Sequence, residues 1–157
     1  MDREFEEKCL RKRTITLEPT VNKIKDERSK QHLAKQHDNN AEYFLECAKN
    51  LVNSTTPLAA VLIGHFAIEH KANKLLALHG YKVESHICTQ IGLSRIVGRK
   101  DLAKKLSDIL TLRQSVGYRM TLKRSEESKE EVEKTINETL IPFFEEVEKL
   151  VNEINQK

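Results

Sequence analysis

The chain has no tryptophan, and among its 157 residues there are only five glycines, three prolines and three cysteines, with aromatics at 5%. So few aromatics argue against a β-sandwich, whose strands draw on β-branched and aromatic side chains. No apolar run approaches the roughly 20 residues that a membrane-spanning helix requires, so no membrane association is expected. The N-terminal MDREFEEKCLRKR lacks the apolar stretch of a secretory signal. Cys9, Cys47 and Cys88 are odd in number and scattered, with no CxxC pair. They read as reduced thiols of a cytoplasmic protein. Motifs for several chemistries are missing too. There is no GK[ST] phosphate loop, no HExxH and no GxSxG.

What is present is charge and helical periodicity. Charged residues make up 32% of the chain, and the formal net charge of +3 hides an asymmetry. Residues 1–124 carry a balance of +9, residues 125–157 a balance of −6. The basic excess is densest from Arg95 to Arg124, where nine Lys/Arg meet only Asp101 and Asp108. A basic stripe of this kind attracts phosphates, or it answers the acidic last helix.

The stretch from Pro57 to Gly80 is the expected centre of the fold. Thr56 and Pro57 suit a helix start, and Gly80 suits a helix stop. Between them Leu58, Val61, Leu62, His65, Ile68, Ala72, Leu75 and Leu76 recur at helical spacing, with Ile63, Phe66 and Ala67 on other sides. A helix apolar on more than one side needs neighbours around it. Its middle turns hold His65, Glu69 and His70. His65 and His70 are five apart, about 140° around a helix, which is poor geometry for one metal ion. No metal and no cofactor is expected.

The rest of the chain reads as helices packed around this one. Residues 1–19 form a charged lead-in, and 20–157 a single helical domain. From Thr20 to about Asn53 there is neither proline nor glycine. This predicts one long helix, or two segments broken near His37–Asn40. After Gly80, YKVES is a short connection, and Ser85 caps a helix that Gly98 ends. A fourth helix is expected from about Asp101 to Tyr118. The last begins near Ser125, and Pro142 inside its pattern predicts a kink near Glu138–Ile141. The fold class is all-α, an up-and-down bundle of about five helices.

One segment, LRQSVGY at Leu112–Tyr118, stands out chemically. It places Arg113, Tyr118 and Arg119 around a helix end, and arginine can hold a phosphate bidentately while tyrosine can stack on a base. The alternative is an arginine tied to the acidic last helix. Three segments taken together resemble the HEPN-domain family, in its small stand-alone prokaryotic form. AEYFLECAKNLV and then PLAAVLIGHFAIEHKANKLLALHGYKVESH are similar to that family's first two helices. The family's paired aromatics, Phe-His pair, Leu-Leu and GY…SH turn fall on His65-Phe66, Glu69-His70, Leu75-Leu76, Gly80-Tyr81 and Ser85-His86. LRQSVGY resembles its LR-x-x-A-D-Y segment.

The resemblance implies a HEPN-like bundle that binds RNA or nucleotides as a homodimer. A small nucleotidyltransferase would be its partner in a toxin–antitoxin or defence module. HEPN ribonucleases cleave RNA without metal through an arginine followed, four to six residues later, by a histidine. Here Arg113 is kept and the histidine position is Tyr118, a poor general base at neutral pH. Catalysis is thereby left open. The candidate binding residues are Arg113, Tyr118 and Arg119, with His65, His70 and His86 from the neighbouring elements. Alternatives are a metal-independent ribonuclease toxin with a rearranged active site, in which His65 or His70 replaces the lost imidazole, and a purely structural interaction module.

Overall fold

The computed structural model describes Cys9, residues 21–118 and residues 125–156, with side chains at 117, 118 and 125–127 excepted. The elements run β1 (Val21–Lys23), α1 (Glu27–Val52), α2 (Ala59–Leu78), β2 (Tyr81–Val83), α3 (His86–Arg95), α4 (Lys100–Tyr118) and α5 (Ser125–Thr135). A π-helical turn (Ile136–Leu140) then leads into α6 (Ile141–Asn155). Of the described residues 81% are helical, and among them there is one two-stranded ribbon, so the all-α bundle holds.

α2 is the hub. It packs against α1, α3, α4 and α6, and burial runs almost all the way round it, from Ala60, Val61, Gly64 and His65 to Leu75, Leu76 and Ala77. Its core partners include Leu45 and Ala48 of α1, Leu93 of α3, Leu102, Leu106 and Ile109 of α4, and Phe143 and Val147 of α6. At its N-terminal end the Thr56 hydroxyl does not cap. The carbonyls of Thr56, Pro57 and Leu58 instead accept from the amides of Ala59, Ala60 and Val61 at 2.9–3.1 Å. Leu58, already in helical conformation, occupies the cap position. Gly80 closes the other end as expected, at φ +86°. An added Cβ there would lie 3.1 Å from the Ile24 carbonyl oxygen, so glycine also admits β1 alongside.

The first helix is a single rod of 26 residues. It does not begin at Thr20, because Val21–Lys23 leaves the helix to pair antiparallel with Tyr81–Val83, Val21 opposite Val83. YKV is therefore a strand rather than a plain connection. Asp26 caps α1, accepting from the Ser29 amide at 2.8 Å. The polar run at 37–40 does not break the rod, because His37 and Asp38 have partners on α2.

Ser85 takes the cap position of α3 through its carbonyl rather than its hydroxyl. Gly98 at φ +78° turns the chain out of that helix. The irregularity expected near Pro142 is present as the π turn at Ile136–Leu140. Proline offers no amide and its ring crowds the carbonyl one turn back, which the wider turn relieves. Leu140 on that turn lies so near Gly64 that a Cβ on Gly64 would meet its Cδ2 at 2.6 Å.

The cysteines are a correction. Cys9 and Cys88 form a disulfide with Cα atoms 5.7 Å apart, and only Cys47 is a free thiol. Cys88 is brought to its partner inside a small core with Val21, Leu76 and Val83. Spacing along the sequence gave no hint of a pair 79 residues apart. The inference of reduced thiols fails for these two, and with it the argument from cysteines to a reducing compartment. Among the described residues no helix is long and apolar enough to cross a membrane.

Candidate functional site

The seam between α2 and α3 builds the site. Thr89 on α3 donates to the side-chain carbonyl of Asn73 on α2 at 2.9 Å, both residues buried, and also to the Ser85 carbonyl at 3.1 Å. This fixes the two helices in register. One turn earlier on each, Glu69 of α2 and His86 of α3 then face one another. The His86 ring donates from Nδ1 to Glu69 Oε1 at 2.5 Å. One turn further back on α2, His65 Nδ1 stands 4.0 Å from Glu69 Oε2, and its ring centroid is 5.0 Å from that of His86.

His65 is 0% exposed, and among the described residues neither of its ring nitrogens has a hydrogen-bond partner. An unpartnered buried polar group costs roughly 1–3 kcal/mol. Burial, aided by the neighbouring Arg113 and His86, lowers its pKa to about 4, so the imidazole is neutral at pH 7. Burial pushes the Glu69 carboxyl above its ordinary value, against the pull of His86 and Arg113. Arg113 completes the group from α4, its guanidinium 5.5 Å from the centre of the Phe66 ring. A neutral imidazole, a carboxylate, a half-exposed imidazole and a guanidinium thus converge on one wall. Such a set can hold an anion, move a proton or take up a metal ion.

The residues expected at the site are divided by the structure. His65, His86 and Arg113 come together, with Glu69 between the two histidines. His70 does not join them. It faces α1, with Nδ1 2.9 Å from Nδ1 of His37 and its ring stacked on Phe44 at 5.6 Å. The wide angle between His65 and His70 sends them to different neighbours. Burial lowers the pKa of both His37, to about 4 with help from His70 and Lys82, and His70. The Tyr118 side chain and Arg119 lie outside the described residues.

A second polar cluster escaped the sequence reading. Lys71 on α2 is 1% exposed, and its ammonium lies 2.7 Å from Asp38, 2.7 Å from Glu42 and 2.6 Å from Glu148. Lys74 pairs with Asp38 at 3.0 Å and Glu148 at 2.6 Å. Burial alone would lower the Lys71 pKa, but hydrogen bonds to Asp38, Glu148 and Glu42 outweigh it and raise the value. The signal was two lysines on the helix expected to have neighbours on more than one side, since a buried charge must be paired. The basic stripe also meets the acidic helix, though at a different arginine: Arg99 reaches Glu146 of α6 at 3.4 Å and Asp101 at 2.6 Å.

In comparisons with known proteins, the chain matches no family, no curated protein and no solved structure.

Proposed function

We propose that the chain is a HEPN-like module that binds RNA or a nucleotide, acting as a homodimer with its groove between α2 and α4. The observation that carries this reading is Arg113 standing beside the His65–Glu69–His86 group. The guanidinium supplies a phosphate clamp and is positioned by its contact with the Phe66 ring. Tyr118 and Arg119 follow Arg113 in the chain and extend the same basic segment. A small nucleotidyltransferase is the partner protein in this reading, within a toxin–antitoxin or defence module. In this reading the protein is cytoplasmic, where its RNA or nucleotide ligand would be met. A disulfide there survives only where thiols cannot reach it, and both Cys9 and Cys88 are buried.

The test is RNA binding measured against salt. Several phosphate contacts give a steep log–log slope, and Arg113→Ala should weaken binding and reduce that slope by about one. Binding that ignores both salt and Arg113 would leave the structural reading, in which the stripe only pairs with the acidic helix. A ribonuclease is the second reading, favoured by the imidazole–carboxylate pair of His86 and Glu69 near Arg113. That pair supplies a proton-transfer group where the family's histidine position holds Tyr118. Cleavage in the presence of chelator, lost in Arg113→Ala and in His86→Ala, would promote it.

A further inference from the structure

His65, Glu69 and His86 share a property that phosphate binding does not use. Their candidate donor atoms all lie within 4.8 Å of one another. A tetrahedral ion with bonds of about 2.0–2.1 Å needs its ligand atoms roughly 3.3 Å apart. The spacings here, 2.5 Å for His86–Glu69 and 4.0 Å for His65–Glu69, fall on either side of that value. Small side-chain rotations on two rigid helices would close the set. His65 and Glu69 stand four apart on one helix, the spacing that turns two donors to the same side. Two imidazoles and one carboxylate are a borderline-soft donor set, suited to zinc and its first-row neighbours rather than to magnesium or calcium.

The second observation is the state of His65. It is wholly buried, and neither ring nitrogen has a hydrogen-bond partner among the described residues. An imidazole ring nitrogen offers the lone pair that a metal ion takes, and among the described residues nothing hydrogen-bonds to either nitrogen of His65. His37 and His70, by contrast, bond to each other. The other carboxylate cluster, Asp38, Glu42 and Glu148, already holds the Lys71 ammonium.

We propose that His65, Glu69 and His86 form a three-ligand site for a divalent first-row transition-metal ion, with the remaining position open to water or an oxyanion. Arg113 repels a bare cation and attracts the anion at that open position, so phosphate and metal reinforce one another. The site stands whether or not the chain binds RNA. It is also opposed to metal-free cleavage by His86, because the ion occupies the groups that would move the proton.

The experiment is zinc binding to the full chain at neutral pH, by titration against a chromogenic chelator, with cobalt(II) as spectroscopic probe. The expected result is one equivalent of zinc, with affinity reduced at least tenfold in His86→Ala and in Glu69→Gln and unchanged in His70→Ala. His86 is partly exposed, so its variant keeps the fold even where a change at His65 does not; circular dichroism checks this. Bound cobalt should give an intense tetrahedral visible spectrum without a thiolate charge-transfer band, which separates the site from Cys47. Absence of binding, binding that survives His86→Ala, or a cobalt–thiolate band would overturn the proposal.

Discussion

Glu69 on α2 accepts a hydrogen bond from His86 on α3 across 2.5 Å, while its other oxygen faces His65 at 4.0 Å. One carboxylate therefore links an imidazole at the surface to one sealed in the core. The bond depends on the Asn73–Thr89 contact one turn away, which sets the register of the two helices. Glu69 itself is only 15% exposed, and a carboxylate so placed is held by its neighbours rather than by water.

Acid should weaken the fold through the buried histidines. His65 and His37 have folded pKa values of about 4 against an ordinary 6.5. The unfolded chain therefore binds more protons between those limits. Their contribution to stability is fully present above about pH 6.5 and is lost as pH falls toward 4, up to about 3 kcal/mol for each at the full shift. Glu69, raised by burial, works the opposite way and softens the lower end of the slope. Urea unfolding at a series of pH values checks this; a flat profile from pH 7 to 4.5 would refute it.

The Lys71 cluster should respond asymmetrically to mutation. Replacing Asp38 and Glu148 together by Asn and Gln strips Lys74 of both its carboxylates and leaves Lys71 only Glu42, which is 59% exposed. A buried charge robbed of partners costs about 3–5 kcal/mol. Lys71→Met should cost about 1 kcal/mol or less, since Asp38 and Glu148 keep Lys74 and the new side chain lies against Phe144. Denaturant midpoints of the two variants give the comparison, and equal losses would contradict it.

Gly64→Val tests how closely α2 approaches the π turn. Even a Cβ at this position overlaps Leu140 Cδ2, which belongs to a side chain 2% exposed. Overpacking here should cost roughly 1–3 kcal/mol, seen as a lower thermal midpoint with helicity retained. The same substitution at Gly98, where an added Cβ meets nothing within 4 Å, is strained only by its φ of +78°.

The disulfide is open to direct counting. Denatured without reductant, each chain should show one reactive thiol, Cys47; after reduction it should show three. Cross-linking residues 79 apart constrains the unfolded chain, so reduction should lower stability by about 2–4 kcal/mol. Three reactive thiols in the unreduced protein would contradict the bridge.

The sequence by itself determined the helices and their hub. Periodic apolar residues, the stops at Gly80 and Gly98 and the irregularity before Pro142 are local features, written within a few turns of chain, and each reappears in the fold. Tertiary structure alone decided the partners. Val21–Lys23 is a strand only because Tyr81–Val83 returns beside it. Glu69 meets His86 across 17 residues, His70 meets His37 and Lys71 meets Asp38 across 33, and Cys9 meets Cys88 across 79. A helical pattern shows which way a side chain points around its own axis. Which charge or imidazole waits there depends on how the rods are laid together, and burial then sets the protonation of His65 and the pairing of Lys71.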